Sequence, residues 1–261
     1  MPSRPTAYLS VISHHQEDLV TENFKNFPKK LGRFDIKLAI MDNTGSDMLK
    51  AFCEREKHFY YHDGIVRGFG HNHNKMFQLL APGHEDIFII CNPDITVAPD
   101  QLEGLLENFV TSGIDIGAPR SYLDKAKGQL DYPDRYFPCL ANFLISIATG
   151  KRLHYGTYDD QEYPEWFSGS FILFKPEVFR NLGGFDEGYH MYCEDIDLCY
   201  RAKQAGYKLK LDTAYHIEHH SRMASRKLLS KNIWWHIRSA FRFSLKSKRL
   251  FCLSIAKRRA S

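Results

Sequence analysis

The stretch Asp86-Ile87-Phe88-Ile89-Ile90-Cys91-Asn92-Pro93-Asp94 joins an unbroken apolar run to turn residues and a carboxylate. An apolar run this short, bounded by turn signals, reads as a strand buried on both faces. Asn92 and Pro93 favour a turn, so Asp94 is delivered to the end of that strand. Working outward, Ala7–Ser13 and Ile36–Met41 are runs of the same kind, the second closed by Asp42-Asn43-Thr44-Gly45-Ser46, and Phe59–His62 is a further strand. Glu17–Phe27, Asp47–Arg55, His71–Leu80 and Pro99–Val110 read as helices between and after them. Short strands alternating with helices predict an α/β fold with a mostly parallel central sheet flanked by helices. Ligands of such sheets bind beyond the carboxyl ends of the strands. Ser13, Asp42 and Asp94 all follow strands, and are expected to meet at one edge.

Beyond residue 115 the pattern loosens. Gly117–Arg120 reads as a short strand, 121–165 as a long excursion with a helix near 139–148, Phe167–Phe174 as a strand, Glu194–Ala205 as a helix and Tyr207–Leu211 as a strand. The 261 residues suit one large domain, or one domain with an appendage, and the composition is that of a globular protein. Six cysteines show no CxxC pair, which argues against a zinc site or a disulfide framework and for reduced thiols. No signal peptide is read at the N-terminus, and Leu140–Ala148 has about half the length of a membrane span. The expectation is a cytoplasmic protein, peripheral at the cytoplasmic face of the inner membrane.

Charge divides the chain. Residues 222–261 hold 12 Lys and Arg with no acid, whereas residues 1–221 hold 23 basic and all 31 acidic residues. A catalytic domain over 1–221 and a basic tail over 222–261 are expected to meet different partners. Within 226–255, Lys231, Arg238, Arg242 and Arg249 align on one side of a helix, with Trp234, Ile237, Phe241 and Leu245 beside them. Such a basic amphipathic helix either lies on an anionic membrane or packs its aromatic face on the body of the protein.

The chemistry-bearing segments each carry a structural reading too. Asp94 at a strand end offers a hard oxygen ligand to Mg2+ or Mn2+ and a diphosphate, or merely closes a turn. Asp42 offers acceptors to a nucleobase or ribose, or again caps a turn. Gly68-Phe69-Gly70 can bring backbone near phosphate at a helix start, but it lacks the third glycine of a dinucleotide fingerprint. Glu194, Asp195 and Asp197 crowd the first turn of a helix, where acids are stabilising. A crowded carboxylate with a raised pKa also makes a general base.

Taken in order, these segments resemble the inverting family-2 glycosyltransferases of GT-A fold, a Rossmann-like architecture, and in particular their rhamnosyltransferase-like branch. The resemblance rests on Asp42-Asn43-Thr44-Gly45-Ser46, on Gly68-Phe69-Gly70 with Asn74, on Asn92-Pro93-Asp94, and on the block from Gly183-Gly184-Phe185-Asp186-Glu187 through Glu194-Asp195-Ile196-Asp197-Leu198-Cys199-Tyr200-Arg201. It implies that Asp42 contacts the nucleobase, that Ser13, Gly70 and Asn74 line the nucleotide pocket, and that Asp94 holds metal and diphosphate. Asp195 becomes the catalytic base with Glu194 in support, and Trp166, Gly169 and Ser170 build the sugar and acceptor pocket. A late histidine joins the metal; of His216, His219 and His220, position favours His219. The implied function is transfer of a sugar, with dTDP-rhamnose the donor that the branch suggests, to a glycan or lipid-linked acceptor in cell-surface polysaccharide (O-antigen or capsule) synthesis. Two alternatives stay open. A sugar-phosphate nucleotidyltransferase would carry a Gly-rich basic loop where Ser13-His14-His15-Gln16 stands. A nucleic-acid-binding protein would use the tail, but no nucleic acid is expected beside an acidic body without a binding motif.

Overall fold

The computed structural model describes residues 4–131, 137–149, 164–220 and 231–249. The chain runs β1 (Thr6–Ser13), α1 (Glu17–Asn23), β2 (Lys30–Leu31), β3 (Phe34–Asp42), α2 (Asp47–Glu56), β4 (Phe59–Tyr61), α3 (Phe69–Leu80), β5 (Ile87–Cys91), β6 (Ile95–Thr96) and α4 (Pro99–Thr111). It continues with β7 (Ile116–Asp124), β8 (Gln129–Leu130), α5 (Leu140–Thr149), β9 (Phe171–Phe174), α6 (Pro176–Asn181), α7 (Glu194–Gln204), β10 (Leu209–His219) and α8 (Lys231–Lys246).

One sheet takes up all the strands among the described residues, in the order β2-β3-β1-β5-β9-β7-β10-β6, with β4 beside β3 and β8 beside β7. β3, β1 and β5 run parallel, as do β7 and β10. The sheet is nonetheless mixed, because β9 lies antiparallel between β5 and β7. Its central strands are buried on both faces, as the unbroken apolar runs require. Leu9, Ile89 and Leu173 face one core, together with Leu105 and Phe109 of α4. Tyr8, Phe88, Ile90 and Ile172 face the other, together with Phe77, Phe185, Leu198 and Phe243.

Local sequence accounts for most element boundaries. Ser46 caps α2 by accepting from the Leu49 amide, and Pro99 opens α4 at a position that needs no amide donor. The strand expected at Tyr207–Leu211 is much longer: β10 runs to His219, with a register break between Asp212 and His216 that lets a polar sequence stay in the sheet. The strand expected at Phe167–Phe174 begins only at Phe171, because Gly169 and Ser170 form a bend. The five described cysteines are free and buried, and Cys252 lies outside the described residues. No helix among the described residues is long and apolar enough to cross a membrane.

Helix α8 packs on the body, but not through the aromatic face that the sequence pointed to. Ala240 and Phe243 go inside, with the Phe243 ring against Tyr200 and Phe137. Trp234, Phe241 and Leu245 remain exposed, Trp234 at 74%. The basic stripe is not simply solvated either. Arg242 donates twice to Asp186, and Lys246 reaches both Asp186 at 2.9 Å and the buried Asp197 at 2.7 Å. Arg249 falls beyond the helix and donates to the Phe137 carbonyl. The remaining parts of the tail, residues 222–230 and 250–261, lie outside the described residues.

Candidate active site

Ser13 and Asp42 are cross-strand partners at the ends of β1 and β3, and the Asn43 amide donates to the Ser13 carbonyl. The Ser13 hydroxyl is buried with no hydrogen-bond partner among the described residues. Asp42, expected to meet the nucleobase, is braced by its own turn. One oxygen accepts from the Thr44 amide and hydroxyl, each at 2.8 Å, and the other from the Ser46 amide at 2.6 Å and the Tyr60 hydroxyl at 3.1 Å. Burial alone would raise its pKa, but the Thr44 and Ser46 bonds outweigh it and lower it. With these bonds Asp42 holds the 42–46 turn at the end of β3.

Asp94 stands in the tight connection between β5 and β6. The Asn23 side chain bonds the Pro93 carbonyl from below, and the His220 amide donates to the Asp94 carbonyl at 2.9 Å. β6 pairs with the end of β10, setting His219 opposite Ile95. The His219 Nε2 lies 3.3 Å from the Asp94 carboxylate, while its Nδ1 is 2.6 Å from Asp131. Burial would depress this imidazole, but Asp131 and Asp94 prevail and raise its pKa to about 9. Of the three late histidines, His219 is the one facing Asp94. His216 lies beside Tyr122, and His220 bonds Thr96. Sequence reasoning missed Asp131: it sits in the irregular excursion, where no periodicity predicts that its amide bonds the Ser121 carbonyl and turns its carboxylate to His219.

The donor set fits a divalent cation. An oxygen and an imidazole nitrogen converge, and Asp131 behind the ring fixes its orientation, as partners of metal-binding histidines do. Among the described residues no group of three or more acidic, His or Cys ligands gathers. Two protein ligands suit Mg2+ or Mn2+, which keep other positions for phosphate oxygens and water.

Gly169 and Ser170 link this edge to the acidic helix. The Gly169 amide donates to Asp195 Oδ2 at 2.9 Å, and the Ser170 carbonyl accepts from the Asn92 amide at 2.8 Å. Asp195 Oδ1 also accepts from the Ile196 amide. Trp166, by contrast, is buried in the core behind this bend. Glu194 is buried, with one carboxyl oxygen lacking a hydrogen-bond partner among the described residues. Burial, and then the charge on Asp195, push its pKa up to about 8. Tyr192 and Cys193, just before α7, adopt left-handed φ of 70° and 64°. Two such residues in a row store strain of ~1–3 kcal/mol each at the entry to the acidic helix.

The rest of the 183–201 block is a structural clamp. Asp197 is buried and binds Arg201, whose guanidinium donates to the Leu182 and Gly184 carbonyls. The i, i+4 spacing of this pair was legible in the sequence. Asn74 pairs with the backbone of Phe185 on both its oxygen, at 2.8 Å, and its nitrogen, at 2.9 Å. Gly184 has φ +66°, and a side chain there would strike Asn74. At Gly70, a Cβ would come within 2.6 Å of that of Phe185. Gly70 and Asn74, expected to line the nucleotide pocket, thus also form the seam between α3 and the 183–190 loop.

No family model matches the chain. It is 33% identical over 244 residues to the rhamnosyltransferase WbbL of Escherichia coli (strain K12), covering 90% of this chain and 91% of that protein. It is 27% identical over 172 residues to the N-acetylglucosaminyl-diphospho-decaprenol L-rhamnosyltransferase of Mycobacterium tuberculosis (strain ATCC 25618 / H37Rv), covering 62% of this chain and 56% of that one. Among solved structures, the mannosyltransferase PcManGT from Pyrobaculum calidifontis in complex with GDP-Man and Mn2+ superposes with a TM-score of 0.60 at 16% identity, over 94% of this chain and 65% of that one. GalNAc-T7 with UDP, GalNAc and Mn2+ superposes with a TM-score of 0.67 at 12% identity, over 94% and 48%. The two solved structures bear on the fold alone.

Proposed function

Because the chain belongs to the rhamnosyltransferase-like branch of the family-2 glycosyltransferases, we propose that it transfers a sugar from a nucleoside diphosphate to a glycan or lipid-linked acceptor, with inversion, in cell-surface polysaccharide synthesis. L-Rhamnose is the sugar that the relatives' names favour. The observation that carries the reading is the pair of consecutive backbone bonds from Gly169 and Ser170. They tie the Asp195 carboxylate and the Asn92-Pro93-Asp94 turn into one edge of the sheet.

In this mechanism Asp195 accepts the proton of the acceptor hydroxyl as its oxygen bonds to the anomeric carbon. The bond from that carbon to the diphosphate breaks on the opposite face, so the configuration inverts. The Gly169 and Ile196 amides hold the Asp195 carboxylate in place. Glu194, kept protonated at neutral pH by burial and by Asp195, adds no second negative charge to repel the donor. Mg2+ or Mn2+ held by Asp94 and His219 would neutralise charge on the leaving diphosphate. Residues 1–221 then form the catalytic domain, and the exposed aromatic stripe of α8 attaches it peripherally to the cytoplasmic face of a membrane.

The test is a melting-shift screen of nucleotide sugars with Mn2+ or Mg2+, followed by an assay of nucleoside diphosphate release with acceptor. Asp195→Asn is expected to abolish transfer while keeping the donor-induced shift. Transfer at the wild-type rate would remove Asp195 as the base. Asp94→Ala is expected to lose the metal-dependent part of the shift.

A further inference from the structure

The entry to α7 is unusual. Cys193 stands at its N-cap with φ 64° and no side-chain capping bond, and Tyr192 before it has φ 70°. Neither residue is glycine, so this left-handed backbone persists only where surrounding contacts hold it. Helix α8 supplies such contacts. The Ser239 hydroxyl donates to the Met191 carbonyl at 2.9 Å, and the His236 ring centroid lies 5.0 Å from that of Tyr192. One residue earlier, the Trp235 ring lies 4.6 Å from that of His190. Arg242 sits over the Tyr189 ring at 5.2 Å and binds Asp186, while Lys246 binds Asp197 on the far side of the acid pair. Gly188 leaves room for this approach, since a Cβ there would fall 2.3 Å from the Arg242 guanidinium.

His236 is itself backed by Phe143 of α5, with ring centroids 5.6 Å apart. Its Nδ1 is buried with no hydrogen-bond partner among the described residues, and burial lowers its pKa. It therefore packs as a neutral ring. Asp195 follows Tyr192 by three residues, so a backbone shift at 192–193 rotates the first turn of α7 and moves the carboxylate that the Gly169 amide holds. Misplacing a reacting group by about 1 Å costs on the order of a hundredfold in rate. We propose that α8 is a positioning element for the reaction: Ser239 and His236 hold Met191 and Tyr192 so that the left-handed pair persists and Asp195 meets the acceptor hydroxyl. The inference rests on Asp195 as the base in the reading above and adds to it the residues that set its place. The catalytic unit then extends past residue 221.

Two measurements on the full chain test it. The first is kcat for dTDP release from dTDP-L-rhamnose with Mn2+, water standing in for the acceptor hydroxyl. His236→Ala and Ser239→Ala are each expected to lower kcat about tenfold or more, while KM and the donor-induced melting shift stay near wild type. His236→Phe, which restores a neutral ring, is expected to recover the rate. Phe34→Leu, at the opposite end of β3 from Asp42, lowers stability away from this segment and is expected to keep the wild-type kcat. The second measurement is amide hydrogen exchange, expected to be at least about tenfold faster over 189–196 in the two alanine variants and unchanged in β1 and β5. Wild-type kcat and exchange in both alanine variants would overturn the proposal. So would an equal loss of kcat in Phe34→Leu, which would make the effect one of stability alone. A wild-type protein that neither releases dTDP nor shows a melting shift with any nucleotide sugar would count against the glycosyltransferase reading, and exchange would still decide whether α8 holds the segment.

Discussion

Glu194 and Asp195 are neighbours in sequence but live in different surroundings, and that difference divides their roles. Asp195 meets the amide of Gly169 at the open edge, whereas Glu194 is buried with an unpartnered oxygen. An acid whose pKa rises from 4.5 to about 8 on folding keeps its proton in the native state while the unfolded chain loses it. Stability from this group is therefore greatest below about pH 4.5 and declines as pH rises toward 8. Melting temperatures of Glu194→Gln and wild type should diverge in favour of the variant across that window; a constant difference would refute the buried, protonated state. Asn74 gives a second residue-scale prediction. Removing its amide orphans the buried Phe185 amide and carbonyl, at ~1–3 kcal/mol each. Asn74→Ala should lower the melting temperature markedly; loss of the donor-induced shift as well would bear out its expected place in the nucleotide pocket.

Among the elements, α8 decides how the charged tail relates to the body. Its buried residues are Ser239, Ala240, Phe243 and Ser244, the rings of Trp235 and His236 lie against His190 and Tyr192, and its flank is latched by Arg242 and Lys246. Arg242 and Lys246 are partly exposed, so solvent weakens their ion pairs, but Lys246 also reaches the fully buried Asp197. Asp186, which burial would raise, is instead held well below the usual carboxylate range by Lys246, the Gly188 amide and Arg242. Lys246→Ala should destabilise the protein by roughly 1–3 kcal/mol in urea unfolding, since Asp197 keeps Arg201 as its one cationic partner among the described residues, beside the Tyr189 hydroxyl. A stability equal to wild type would mean that the Lys246 contacts add nothing to the packing of α8 on the body. The sequence showed the helix and its two stripes. It did not show which face turns inward, because an amphipathic pattern also fits a membrane surface, and the buried face here consists largely of residues that hydrophobicity overlooks.

At the scale of the whole molecule, the exposed stripe of Trp234, Phe241 and Leu245 predicts attachment to a surface. Co-sedimentation with anionic vesicles should fall strongly in a Trp234→Ser, Phe241→Ser, Leu245→Ser triple variant. Substitution is the cleaner test than truncation, because removing α8 would also uncover Phe137 and Tyr200. Equal sedimentation would leave the stripe without a membrane role. The sequence by itself determined the apolar runs of β1, β3 and β5, the carboxylates at their ends and the acidic start of α7, because short-range burial and turn chemistry are written into consecutive residues. It also put Asp94 just after a strand and Asp195 in the first turn of a helix. Only the tertiary structure decided that β9 runs antiparallel through the centre, that β10 carries His219 back to Asp94, and that Asp131 stands behind it. The same holds for the intraprotein partners of Asp42, Gly70 and Asn74, which lie in loops and neighbouring elements. A polar residue does not encode whether a ligand or the protein's own backbone will satisfy it; packing settles that when distant segments meet.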